Sequence, residues 1–450
     1  MREKFYLVSL GCAKNFVDSE EIAGAFIKDG YVIHNRPEES DLAVVNTCAF
    51  LREARLEALK TVSWLVRLKN KPQSRLKCVI LTGCLTGYYD EPALMKMVPG
   101  LDLVVPFRHA SLIPNLLHRN DCSDRNDHNA HVNSLNNSDS LTDGYSQKNR
   151  FLLAPPHSVY VKISDGCRNR CSYCLIPKLR GKLRSKPLDD IVAEVKALAK
   201  LGAKEVNIIA QDTTSYGIDL YGKYMLIPLL QNISRIKGLK WIRLLYAHPA
   251  RITDDLLDLV AQEEKICKYL DIPIQHSDRK ILHLMGRKTE PEEITDLYHV
   301  IRERIPSAVL RTTVMVGYPG EGEREFSNLL AFLERHPFER VGAFQFSPEK
   351  MTRAYYQGPR VEGDVAQRRL KEVMTLQKQR SQRFNHKLLG QRLDVIVDSY
   401  NQQKSMHYGR TAGQAPDVDG KVYLPGFNGR IGDITQVKIV GAGAYDLLGE

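Results

Sequence analysis

The chain has 450 residues, 43% hydrophobic and 26% charged, with 64 Lys and Arg against 53 Asp and Glu for a formal net charge of +11. That length exceeds one ordinary domain and predicts two or three, and the composition excludes a disordered or fibrous chain. No apolar run approaches the roughly 18 residues of a membrane span, while the basic surplus suits either an acidic partner such as RNA or the ribosome, or simple solubility.

Three short apolar, β-branched runs open the chain: 5–12, 41–48 and 78–84, each ending in cysteine. Each reads as a buried parallel strand. Helical patterns at 18–28 and 53–67 lie between them and predict a βαβ sheet. The start is expected to be a first strand and not a signal peptide, because its apolar stretch is short and Lys14 and Asn15 follow at once. Parallel strands place their carboxyl ends along one edge, where ligands bind. Cys12, Cys48 and Cys84 should therefore converge although they are remote in sequence. On the residues alone they form either a three-cysteine iron–sulfur site or three small buried hydrophobes.

Residues 1–117 are expected to form this first α/β domain. Residues 118–150 are dense in Asn, Ser and Asp and read as a flexible polar linker. Its Cys122, His128 and His131 read as solvated linker residues.

Residues 151–384 repeat strand and helix signals. Strands are expected at 159–164, 205–210, 241–246, 269–274, 311–316 and 341–346, with helices such as 187–201, 253–264 and 323–336 between them. Six such units predict a partial (β/α)6 barrel with active groups at the carboxyl ends of its strands. Cys167, Gln211, His248, Gln275 and Gly317 fall there. A long basic helix, 365–389, leads out. Residues 385–450 carry short strands at 394–398, 421–424 and 436–440, punctuated by Gly409, Gly420, Gly426 and Gly429, and predict a small all-β barrel. The fold class is α/β: an N-terminal parallel-sheet domain, a central TIM-like partial barrel and a C-terminal β-barrel.

Cys167, Cys171 and Cys174 lie within eight residues directly after the first barrel strand. Three thiolates this close capture a soft metal centre. A structural zinc or a fully ligated cluster wants four protein ligands, so three leave one metal position open. A zinc site with a distant fourth ligand and plain core cysteines are the alternatives on spacing alone.

The Cys-x3-Cys-x2-Cys pattern, with Tyr173 before its last cysteine, resembles the radical SAM superfamily. The resemblance implies a [4Fe-4S] cluster whose unique iron binds S-adenosyl-L-methionine and splits it to a 5'-deoxyadenosyl radical. With a second three-cysteine set ahead of it, the chain resembles the methylthiotransferases, and Ser9–Glu20 resembles the opening motif of their RimO branch. The family pattern has proline where this chain has Ala13 and leucine where it has Phe16; neither change touches a ligand. Residues 210–221, 271–276, 317–321 and 340–349 are similar to further strings of that branch, and 385–450 resembles its TRAM domain. The resemblance implies two [4Fe-4S] clusters, one on Cys12, Cys48 and Cys84 that handles sulfur and one on Cys167, Cys171 and Cys174 that binds S-adenosyl-L-methionine. Tyr173 would lie near its adenine, and Gln211 and Asp212 are candidate contacts to the cofactor or caps of the next turn. His248 and His276 are weaker candidates for proton transfer.

The implied activity is addition of a methylthio group to the β-carbon of an aspartate in ribosomal protein S-twelve of the small subunit. Two alternatives are the sister reaction on a tRNA adenosine and a non-enzymatic metal-dependent RNA- or ribosome-binding module. TRAM domains often bind RNA, yet residues 391–450 hold six Lys and Arg against seven Asp and Glu. A tRNA-binding barrel should be basic; a slightly acidic one better suits a basic ribosomal protein. The aspartates of 415–420 are read as part of that surface or as turn formers. Nine cysteines, an odd number in a long chain, argue against a disulfide framework and for a reducing, cytoplasmic setting. Cys78 and Cys267 are expected to be packing residues. The expected partners are the ribosomal substrate, an electron donor and a sulfur source, with no membrane, and a monomer is expected.

Overall fold

The computed structural model describes residues 2–119 and 150–450. Cys122, His128 and His131 lie outside the described residues. The chain forms two compact units. One comprises 1–154, 165–167 and 175–186; the other comprises 155–164, 168–174 and 187–450. Among the described residues no helix is long and apolar enough to cross a membrane.

The first unit is built on a parallel sheet of five strands: β1 (Lys4–Ser9), β2 (Val32–Ile33), β3 (Leu42–Thr47), β4 (Cys78–Gly83) and β5 (Leu103–Val104), in the order β2-β1-β3-β4-β5. Alternation along the strands serves two cores, as a sheet covered on both faces requires. Ala43, Val45, Val79 and Leu81 pack with Ala58, Val62 and Leu65 of the helix Arg52–Lys69. Phe5, Val44 and Ile80 pack with Ile22, Ala23 and Phe26 of the helix Ala13–Lys28. Cys78 is one of the buried residues on this second face.

The register brings the strand ends level: Ser9 pairs with Asn46, and Asn46 with Thr82. The helix after β1 begins at Ala13, five residues before its expected start. Lys14, Asn15, Asp18, Ser19 and Glu20 are polar yet buried, so its first turns lack the apolar periodicity that marks a helix.

The second unit contains a six-stranded parallel sheet of β6 (Ser158–Lys162), β7 (Glu205–Ile209), β8 (Trp241–Leu244), β9 (Ile266–Asp271), β10 (Val309–Val316) and β11 (Arg340–Gln345), each neighbouring the next in chain order. That is the expected partial barrel, with boundaries shifted by a few residues. The helix Gly363–His386 packs on β11, where Arg340 Nη1 donates to Ser381 Oγ at 2.7 Å.

In the same unit, β12 (Arg392–Asn401), β13 (Met406–Thr411), β14 (Val422–Leu424), β15 (Ile434–Ala442) and β16 (Leu447–Gly449) close a barrel in the order β12-β13-β14-β16-β15. Polar contacts join it to the six-stranded sheet. Arg410 Nη2 donates to Glu205 Oε2 at 2.7 Å, Arg243 Nη1 donates to Ala412 O at 2.7 Å, and Tyr160 donates its hydroxyl to Asp417 at 2.7 Å. The acidic surplus is therefore not all free surface. Asp398, in β12, and Asp417 and Asp419 of the 415–420 segment each hold an internal partner.

Candidate active site

In the first unit, Cys48 and Cys84 follow directly on the ends of β3 and β4, and Cys12 lies three residues beyond the end of β1. Two glycines let these ends close up. Gly11 has φ +101°, and a Cβ there would lie 2.6 Å from Cys48 Cβ; Gly83 has φ +94°, and a Cβ there would lie 2.4 Å from Thr47 N. Either contact is impossible for a larger residue, and the left-handed backbone favours glycine besides.

Buried amides and hydroxyls then tie the ends together. Asn15 Nδ2 donates to Leu10 O at 2.9 Å and to Thr47 O at 2.8 Å, Asn46 Nδ2 donates to Asn15 O at 2.8 Å, and Thr47 Oγ1 donates to Thr82 O at 2.6 Å. Ser19 Oγ reaches Ser9 Oγ at 2.8 Å, and Glu20 takes Arg150 as its ion-pair partner. The polar stretch 14–20 thus frames the cysteine edge.

Cys12 is exposed, Cys48 half-buried and Cys84 buried. Burial pushes the Cys84 thiol up to about 11, against the pull of Arg180, and burial also raises Cys48, with Cys12 adding to it. Thiols raised in this way, Cys48 and Cys84, suit a cationic metal centre, which deprotonates its thiol ligands outright. Among the described residues no three His, Cys, Asp or Glu side chains gather tightly enough for a single ion.

Sequence reasoning missed Arg180. Its guanidinium is 1% exposed and pairs with Asp18 and Asp165, both at 2.7 Å. It also donates through Nη2 to Asn15 Oδ1 at 2.5 Å and through Nε to Cys84 Sγ at 3.4 Å. Its neighbour Gly181 accepts the amide of Cys167 at 3.2 Å. Asp165 is 15 positions away but Cys84, Asp18 and Asn15 are 96, 162 and 165 away, so no local pattern could have revealed the set.

In the second unit, Cys171 and Cys174 bound a turn in which the Cys174 amide donates to Cys171 O at 3.2 Å. Ser172 anchors it. Its amide donates to Met285 O at 2.9 Å, and its hydroxyl lies 2.8 Å from Leu284 O and 2.7 Å from the Tyr318 hydroxyl. The Tyr173 ring meets Tyr318 edge-on at 6.5 Å, and burial drives its hydroxyl well above the usual phenol range.

Asn169, inside the cysteine loop, donates to Asp212 Oδ2 at 2.8 Å and accepts from Arg251 Nη2 at 3.0 Å. Arg251 also pairs with Asp212, which accepts from Thr214 Oγ1 at 2.6 Å and Ser215 Oγ at 2.7 Å. Burial opposes its ionisation, yet Arg251 and the two hydroxyls hold the carboxyl below its usual value. Asp212 thus ties the hydroxyls of the turn after β7 to the cysteine loop through Asn169; Gln211 is half-buried at the same strand end. Burial, with Arg287 and Arg251, lowers His248 to about 3, and burial lowers His276 to about 4. Both rings accept a local amide, from Ala250 at 3.2 Å and from Asp278 at 2.9 Å. They are neutral turn-capping acceptors at neutral pH. Cys267 is buried.

Residues 161–333 match the radical SAM superfamily, residues 4–106 match an uncharacterized protein family, UPF0004, and residues 389–450 match the TRAM domain. The fold is similar to that of TsrM, a radical S-adenosylmethionine methyltransferase from Kitasatospora setae, with a TM-score of 0.54 at 15% identity over 76% of this chain and 73% of that one. Fold and domain content define a radical SAM enzyme.

The relatives are closer. The chain is 43% identical to the ribosomal protein uS12 methylthiotransferase RimO of Pelotomaculum thermopropionicum, covering 99% of both chains. It is 40% identical to the protein of that name from Geobacter sulfurreducens, over 100% of this chain and 98% of the other. The chain belongs to the RimO methylthiotransferase family. Its cofactors are two [4Fe-4S] clusters and S-adenosyl-L-methionine.

Proposed function

We propose that the chain adds a methylthio group to the β-carbon of an aspartate in ribosomal protein uS12, with Cys12, Cys48 and Cys84 ligating the cluster that handles sulfur and Cys167, Cys171 and Cys174 ligating the one that binds S-adenosyl-L-methionine. The observation that carries the reading is the cysteine edge of the first unit: three thiols at the carboxyl ends of three adjacent parallel strands. When bound, the clusters supply the C–H cleavage and sulfur delivery that acid–base side chains cannot.

The chain's own residues position and insulate. Ser172 fixes the turn of Cys171 and Cys174 through its amide and hydroxyl. Tyr173, neutral and half-buried, presents an apolar ring for the adenine. Asp212 and Gln211 stand at the end of β7 as contacts or supports for the cofactor. Neutral His248 and His276 add no cation at neutral pH. The reaction is assigned to the cytoplasm, where thiols stay reduced, with the enzyme a monomer served by an electron donor and a sulfur source.

The test separates the two cysteine sets. Cys12→Ala should abolish methylthiolation and leave S-adenosylmethionine cleavage intact, whereas Cys171→Ala should abolish both. Mass spectrometry of uS12 from cells with and without the gene should show one methylthio increment on an aspartate disappearing with it. Loss of a modified tRNA adenosine with uS12 unchanged would overturn the substrate assignment.

A further inference from the structure

We propose that Arg180 is a positioning residue for the sulfur-handling cluster, aiming the Cys84 thiolate and raising that cluster's reduction potential through an Nε–H···S hydrogen bond. The inference rests on the assignment of Cys84 as a ligand.

The orientation of the guanidinium is fixed by its terminal nitrogens. Nη1 is committed to Asp165 at 2.7 Å, and Nη2 to Asp18 at 2.7 Å and Asn15 Oδ1 at 2.5 Å. The Phe107 ring lies 4.3 Å from the guanidinium carbon and limits its rotation. With both terminal nitrogens held in this way, Nε–H points at Cys84 Sγ, 3.4 Å away. Two carboxylates already balance the buried cation, so charge neutralisation does not require the sulfur contact.

Hydrogen bonds to ligating sulfurs are among the main determinants of iron–sulfur potentials. A donor withdraws electron density from the thiolate and so favours the reduced cluster. Outer contacts of this kind also fix the direction in which a ligand points. Lysine cannot replace the fork: it keeps the charge but offers a single ammonium head with no planar set of donors.

The experiment uses the full chain carrying Cys167→Ala, Cys171→Ala and Cys174→Ala, which retains only the first cysteine set, reconstituted anaerobically with iron and sulfide. Iron content, midpoint potential and electron paramagnetic resonance are compared between Arg180 and Arg180→Lys. The expected result is equal iron, a more negative potential and altered g-values in the Lys variant. Equal iron with unchanged potential and spectrum overturns the proposal. Iron lost from Arg180→Lys while the apo-protein melts as before supports a ligand-aiming role. Iron lost together with a lowered apo melting temperature makes Arg180 a purely structural ion pair and overturns it. Absence of iron in both chains counts against Cys84 as a ligand instead.

Discussion

Tyr269, fully buried in β9, donates its hydroxyl to Asp419 Oδ2 at 2.7 Å. The same carboxylate lies 3.8 Å from Arg311 and is 3% exposed. Within one compact unit, an aspartate of the small β-barrel is thus spent on the six-stranded sheet. Asp419→Ala leaves a buried phenol hydroxyl without its acceptor, at a cost of about 2 kcal/mol. Thermal melting should fall by several degrees, with no change in the Michaelis constant for uS12. A raised Michaelis constant at unchanged melting would return Asp419 to a docking surface.

Glu205 is the second joint. It accepts from Arg410 Nη2 at 2.7 Å, Arg243 Nε at 3.0 Å and Ser158 Oγ at 2.7 Å, with no exposure. Glu205→Gln removes the anion from between two buried guanidiniums and should cost about 3–5 kcal/mol. Equilibrium urea unfolding measures it, and a loss below about 1 kcal/mol would contradict the buried-pair account.

Acid should act on this unit in two windows. Burial lowers His276 to about 4 from 6.5, so the unfolded chain takes up its proton first. Its contribution is fully present above pH 6.5 and is lost as pH falls toward 4, about 3 kcal/mol in all. Burial opposes ionisation of Glu205, but Arg410 and Arg243 pull it from 4.5 to about 2. That contribution persists to pH 4.5 and is lost below it. Melting curves at pH 7.5 and 5.0 should differ, and His276→Gln should narrow the difference. An equal drop in both proteins would clear His276.

Gly83→Ala should damage the cysteine edge selectively. The added carbon would sit 2.4 Å from Thr47 N on a backbone with φ +94°, forcing β3 and β4 apart beside Cys48 and Cys84. In the protein lacking the Cys167 set, reconstituted iron should drop at least severalfold. Retention of full iron would show that the strand ends need no such close approach.

Much of this was legible from the residues. β-Branched runs ending in Cys12, Cys48 and Cys84 betrayed three strand ends, because parallel strands buried on both faces must be apolar throughout. Alternating strand and helix signals did the same for the six-stranded sheet. What escaped was polar and long-range. Asn15, Asp18 and Ser19 look like loop residues until their buried partners are known. β13, with His407, Tyr408 and Arg410, has no apolar alternation because Arg410 turns inward to Glu205. Arg180 meets Asp18 from 162 positions away, a distance over which sequence patterning carries no information.

The adjacency of Arg180 and Gly181 bears on how separable the parts of this chain are. One residue touches the Cys84 sulfur and the next accepts the Cys167 amide, both within the first unit. Residues 165–167 and 175–186 accordingly fold with the N-terminal sheet although they fall inside the barrel by sequence. A chimaera cut at residue 151 would transplant a foreign arginine loop against native Asp18 and Asn15. The chain thus alternates between its two units here: 165–167 and 175–186 belong with the N-terminal sheet, while 155–164 and 168–174, with Cys171 and Cys174, belong to the second unit, so no single cut separates the two.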